Sequence, residues 1–179
     1  VVMHGDDAVQ FFDRAGEARV YSEKGLLAGE HGFTTIMATA PHHGVAVPMG
    51  EHVLISEPDL AAATEPGALP PRLGLKVLDR DGGQVGETAI CTGLHGEADS
   101  GGIVAFGCVE GVLVARPDGA NPPVVEMLAY GEAMPEGRVG TLAGGKAMQF
   151  FLGDYGADKL VLIDPSSDAP FRVVPLPVR

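Results

Sequence analysis

Residues 103–128 read Ile-Val-Ala-Phe-Gly-Cys-Val-Glu-Gly-Val-Leu-Val-Ala-Arg-Pro-Asp-Gly-Ala-Asn-Pro-Pro-Val-Val-Glu-Met-Leu. Three apolar runs stand out, Ile103–Phe106, Val112–Ala115 and Val124–Leu128. Glycine-bearing breaks separate them, and Pro117-Asp118-Gly119 is a turn signal. Each run is too short for a helix and rich in β-branched residues, so the stretch reads as three consecutive short strands.

The same grammar extends in both directions. Upstream lie Val1–Met3, Val9–Phe12, a turn at Asp13–Gly16, Ala18–Tyr21, Val45–Val47, Val53–Ile55, Leu75–Leu78 and a turn at Asp79–Gly82. Downstream lie Val139–Leu142, Met148–Leu152, Leu160–Ile163, a turn at Asp164-Pro165, and Phe171–Leu176. Glycine and proline number 26 and 14 among 179 residues, about twice ordinary usage. The longest stretch free of both, Asp6–Ala15, is ten residues, shorter than a mean helix. That excludes a helical bundle, a coiled coil and a chain of βαβ units.

The strand–Asp–turn–strand pattern recurs at Asp13, Asp79, Asp118 and Asp164, in steps of 66, 39 and 46 residues. The loops Glu23–Ala40 and Glu57–Arg72 lengthen the first step. A period of roughly 40–50 residues with about four strands is that of a β-propeller blade. A β-sandwich also repeats strands, but without this longer period. The expected fold is therefore an all-β propeller. Residues 1–179 form part of a single propeller domain, about three to four blades and about half of the ring, with the first unit lacking its innermost strand. The opening, Val-Val-Met-His-Gly-Asp-Asp, reads as an internal or mature segment. The rest of the ring is expected from further sequence or another chain, because uncovered blade faces would associate.

Lysine plus arginine number 12 against 24 acidic residues, a net charge of −12. A phosphate backbone or an anionic membrane surface is repelled by such a chain, whereas cations are attracted. No apolar run approaches the ~20 residues of a membrane span, so no membrane insertion is expected.

Six histidines are present, and two open similar segments: His43-Gly44-Val45-Ala46 and His95-Gly96-Glu97-Ala98, 52 residues apart. In a propeller the first strand of each blade lines the central channel. His43, His95 and Glu97 would converge there, flanked by His42, and imidazole with carboxylate suits Zn²⁺. The competing reading is structural, since a histidine at a blade start often bonds across strands. His31 lies on a long loop, read as exposed, from which it would reach the channel only as a cap. His4 and His52 read as structural. Cys91 and Cys108 flank a hairpin that would bring them together, as a disulfide or a reduced pair. A Cys91–His95 metal site is the other option, without a CxxC spacing to support it. No GxSxG elbow or phosphate loop occurs.

Two runs carry a family resemblance: Ala40-Pro41-His42-His43-Gly44-Val45-Ala46-Val47-Pro48, and Cys91-Thr92-Gly93-Leu94-His95-Gly96-Glu97-Ala98 continuing through Val104–Cys108 and Gly111–Val114. With Phe151-Leu152-Gly153-Asp154-Tyr155-Gly156, they resemble the AztD-type zinc metallochaperones, periplasmic propeller accessories of bacterial zinc ABC transporters. The resemblance implies zinc bound near the channel and handed to the transporter's zinc-specific solute-binding protein. It also implies a periplasmic setting, in which Cys91 and Cys108 would be disulfide-bonded, and further family sequence beyond this chain. On this reading the protein is not an enzyme. The rivals are a lactonase-type propeller hydrolase, using a metal-bound water, and a metal-free interaction scaffold.

Overall fold

The computed structural model describes residues 1–62 and 64–177. Its strands fall into four antiparallel sheets of four, each a meander in chain order. Sheet A holds β1 (Val2–His4), β2 (Asp7–Phe12), β3 (Glu17–Ser22) and β4 (Thr34–Met37). Sheet B holds β5 (Ala46–Met49), β6 (His52–Pro58), β7 (Arg72–Asp79) and β8 (Gln84–Ile90). Sheet C holds β9 (His95–Ser100), β10 (Ile103–Gly107), β11 (Gly111–Asp118) and β12 (Asn121–Ala129). Sheet D holds β13 (Leu142–Ala143), β14 (Phe151–Asp154), β15 (Lys159–Ile163) and β16 (Phe171–Pro175). These repeating four-stranded meanders are propeller blades.

The chain divides into two compact units. The first is Val1–Ile90 with Pro117–Pro123; the second is Cys91–Arg116 with the chain from Val124 onward. In the first unit, sheets A and B share a core: Val9, Ala18, Val20 and Ile36 from A, and Ala46, Val53, Ile55 and Leu78 from B. The cross-strand pairs Val9↔Val20, Ala18↔Ile36, Ala46↔Ile55 and Val53↔Leu78 keep these side chains in layers. In the second unit, Ala105, Val112, Val114 and Leu128 of sheet C pack with Leu142, Phe151, Val161 and Ile163 of sheet D. The first strands of neighbouring blades lie beside each other, β1 with β5 and β9 with β13.

Residues of β6, β10 and β11 are buried on both strand faces: Val53, Leu54 and Ile55, then Val104, Ala105 and Phe106, then Val112, Leu113 and Val114. That is why these strands read as unbroken apolar runs instead of alternating ones.

Three expectations are corrected. The first unit does not lack its innermost strand: β1 pairs with β2 through Val2↔Val9, Met3↔Ala8 and His4↔Asp7. The segment read as a loop over Glu23–Ala40 contains α1 (Glu23–Leu27) and β4. The Ser22 hydroxyl caps α1 by accepting from the Gly25 amide at 3.2 Å. Finally, Asp13 is not equivalent to the other turn aspartates. It lies between the second and third strands of its blade, whereas Asp79, Asp118 and Asp164 lie at or just after the third strand. The corresponding connection in sheet A is the one carrying α1, which has no Asp turn to count. β4 and β8 escaped the strand reading because each is the outermost strand of its blade, with mostly exposed or half-exposed side chains.

Cys91 and Cys108 form a disulfide with Cα atoms 5.0 Å apart, and both residues are fully buried. It ties the turn before β9 to the end of β10. The turn is further held by Leu94 N–H to the Cys91 carbonyl, at 3.0 Å, and by Val109 N–H to the Thr92 carbonyl, at 3.0 Å. No helix among the described residues is long and apolar enough to cross a membrane.

Candidate functional site

The histidines separate by what their ring nitrogens touch. His42 is fully buried. Its Nδ1 lies 2.9 Å from the Ala40 carbonyl, which can only accept, so Nδ1 carries the proton. Its Nε2 lies 2.7 Å from the Ser56 hydroxyl, and that oxygen accepts from the Val45 amide at 2.9 Å. The chain of bonds runs Val45 N–H to Ser56 O–H to His42 Nε2, with both ring nitrogens used. The Phe11 ring stands edge-on at 5.1 Å. Burial holds the His42 imidazole below its usual pKa, so the ring is kept neutral. No lone pair remains for a metal, and the expectation that His42 flanks a zinc site is replaced by a structural role.

His43 is different. It lies in the bend before β5, with a side chain 71% exposed. Its Nδ1 donates to the Asp13 carboxylate at 2.6 Å, and the other Asp13 oxygen accepts from the Gly44 amide at 3.3 Å. Burial alone would raise the Asp13 carboxyl; the bonds from His43 and Gly44 outweigh it and hold it below the ordinary carboxylate range. Gly44 is required here, because a Cβ would sit 2.2 Å from the Phe11 ring. The Arg72 guanidinium donates to the His43 carbonyl. With Nδ1 bound to Asp13, the neutral ring carries its lone pair on Nε2.

His95 repeats the arrangement with a different acceptor. It opens β9 and is exposed. Its Nδ1 donates to the Gly140 carbonyl at 2.8 Å. The Gly140 peptide is itself held by Asp154, whose Oδ1 accepts from the Gly140 and Thr141 amides at 2.7 and 2.8 Å. Burial raises the Asp154 carboxyl, but these amide bonds, with the nearby His95, bring it below its usual value.

The two His-Gly segments are not register-equivalent. Counting from the hairpin turns, the first pairs are Met49↔His52 and Ser100↔Ile103. The fifth position holds Val45 opposite Ser56 in one blade and His95 opposite Gly107 in the other. His43 stands two residues further out. A bulge causes part of the offset: Gly96 has a φ of 63°, and His95 and Glu97 oppose the neighbouring residues Gly107 and Phe106. The two-residue alternation that would put His95 and Glu97 on one face therefore does not apply. Glu97 is exposed on β9.

Among the remaining histidines, His31 is exposed between α1 and β4. His52 opens β6 and His4 ends β1, each half-buried in a strand. The disulfide leaves no thiolate to pair with His95. Among the described residues, no group of three or more His, Cys, Asp or Glu side chains is gathered to hold a metal ion. Sequence reasoning placed Asp13 in a turn without a partner for His43 and did not reach Gly140; both are long-range partners with no local motif to announce them.

No protein-family model matches the chain. The chain is similar to the zinc chaperone AztD of Citrobacter koseri, 39% identical over 170 residues. That match covers 95% of this chain and 39% of the relative. The crystal structure of Citrobacter koseri AztD superposes with a TM-score of 0.90 at 37% identity, over 99% of this chain and 46% of that one. Its apo form gives 0.91 at 38% identity, over 99% and 47%. A gluconolactonase from Xanthomonas campestris, 12% identical with a TM-score of 0.53, covers 96% of this chain and 59% of its own, and shares the fold alone. The chain spans less than half the length of the AztD relatives it matches.

Proposed function

Because this chain is related to the zinc chaperone AztD along nearly its whole length, we propose that it is the zinc-binding portion of such a chaperone. Its cargo is Zn²⁺, and the recipient is the solute-binding protein of a zinc ABC transporter. The setting is the periplasm, which accords with a disulfide between buried cysteines. The protein is then a carrier and not an enzyme.

The observation that carries this reading is the shared state of His43 and His95. Each is exposed and donates Nδ1–H, to the Asp13 carboxylate and to the Gly140 carbonyl. Metal-binding histidines characteristically give their second N–H to a carboxylate or a backbone carbonyl, which fixes the tautomer and the ring orientation. In both, Nε2 is left to meet a zinc ion at about 2.0–2.1 Å. Glu97 is exposed on β9 but off the His95 face, so its variant is the comparison in which zinc affinity is expected to hold. A carrier differs from a structural zinc site in needing ligand positions that a recipient can enter. Imidazoles on an exposed surface meet that need. The net charge of −12 raises the local cation concentration without selecting zinc; selection comes from the nitrogen donors.

The test is a competition titration with a zinc chelator on the parent protein, His43→Ala, His95→Ala and Glu97→Gln. Zinc affinity is expected to fall at least tenfold in each histidine variant, with unchanged circular dichroism. Parent-like affinity in both would overturn the assignment. Failure of the parent to bind zinc would overturn the chaperone reading itself.

A further inference from the structure

The second unit carries an open depression of about 480 Å³, built by elements that hold none of the candidate zinc ligands. One wall is the segment after β12, with Met134 and Pro135; the other is the turn into β16, with Pro170, Phe171 and Val173. The walls are braced. The Tyr155 hydroxyl donates to the Pro135 carbonyl at 2.8 Å, and the Tyr130 hydroxyl accepts from the Val139 amide at 2.9 Å. Tyr130 also packs against Tyr155 and Phe171, with ring centroids 5.5 and 5.2 Å apart. Gly137, in the same segment, has its backbone so close to Tyr155 that a Cβ would lie 2.9 Å from the ring. The depression is thus preformed by side chains already bonded to backbone.

Its lining is apolar with one charge, the Asp168 carboxylate. Glu132 and Glu136 are exposed on the wall segment itself. No lysine or arginine lines it. An apolar floor bordered by Asp168, with no lysine or arginine in its lining, matches one kind of occupant by charge: an apolar side chain flanked by cations. The depression opens to solvent, whereas a small-molecule site encloses most of its ligand. A chain segment lying across it, with an anchor side chain seated inside, fits better.

We infer that this groove docks an extended segment of a partner protein, one in which leucine or phenylalanine side chains stand between lysine or arginine residues. The inference goes beyond the zinc reading and does not depend on it.

The experiment is fluorescence anisotropy of the full chain with a labelled Arg-Leu-Phe-Leu-Arg peptide at low salt, against a Glu-Leu-Phe-Leu-Glu control. The basic peptide is expected to bind and the acidic one not to. Asp168→Lys, a change at an exposed turn residue, and Met134→Asp, which breaks the apolar wall, should each weaken binding at least tenfold. Should Met134→Asp unfold the chain, as judged by circular dichroism, Asp168→Lys decides alone. Equal binding of both peptides, no binding of either, or an unaffected Asp168→Lys variant overturns the proposal.

Discussion

His43 Nδ1 and Asp13 Oδ2 lie 2.6 Å apart, joining the bend before β5 to the turn after β2 across 30 residues of chain. The bond crosses from one blade to the next and sets which nitrogen of the imidazole is left for a metal. Removing the carboxylate frees the ring to rotate and to switch tautomer. Asp13→Ala should therefore lower zinc affinity by about tenfold or more, and Asp13→Asn, whose amide oxygen still accepts from Nδ1, should lower it less. A chelator competition on both variants checks this; equal losses would show that charge, and not positioning, matters.

His42 is adjacent in sequence to His43 and opposite in role. His42→Leu keeps the volume but removes the imidazole from between the part-buried Ala40 carbonyl and the Ser56 hydroxyl, which keeps only its bonds to the Val45 backbone. The expected cost is about 2–3 kcal/mol of stability, read as a lower denaturant midpoint at constant slope. Zinc affinity should not move. A large loss of zinc binding with unchanged stability would reverse the assignment.

Acid should destabilise the metal-free fold in two stages. The His42 imidazole has a native pKa below its ordinary value of about 6.5. The unfolded chain therefore takes up that proton first, and stability falls as pH drops from about 6.5 toward the depressed native value. Asp13 and Asp154 have native carboxyl pKa values below the usual range. Their contribution is complete above about pH 4–5 and is lost as pH falls through the native values. Urea midpoints between pH 3 and 8, with a chelator present, should show both stages. His42→Leu should abolish the upper one, and Asp13→Asn should reduce the lower one.

The Cys91–Cys108 bond closes a separation of 17 residues. Constraining a loop of that size in the unfolded chain is worth about 3 kcal/mol. The double variant Cys91→Ala, Cys108→Ala should lose that order of stability. Because the disulfide braces the turn entering β9, the variant should also weaken zinc binding at His95 more than at His43. Thiol titration of the unreduced, denatured parent should find no free thiol. Two free thiols would contradict the bond.

Composition and local pattern were enough for the blade architecture. Glycine and proline recur too often for helices, and apolar runs such as Ile103–Phe106 and Val112–Ala115 have strand length and strand residues. These signals are local, because a strand's burial and a turn's backbone angles are set by its own few residues. The outer strands β4 and β8 were not legible for the same reason. Their side chains face solvent over much of their length, so only pairing with a neighbour makes them strands. The resemblance carried by the His42–His43 and Cys91–Cys108 segments also lay in the residues themselves. What each histidine does was decided by tertiary structure alone. His42 and His43 are neighbours with the same side chain, yet one ring is buried between Ala40 and Ser56 while the other is exposed against Asp13. His95 is oriented by a carbonyl 45 residues away, and the bulge at Gly96 shifts its register relative to Glu97. Hydrogen-bond partners that distant have no periodicity in sequence; they exist only once the sheets have stacked.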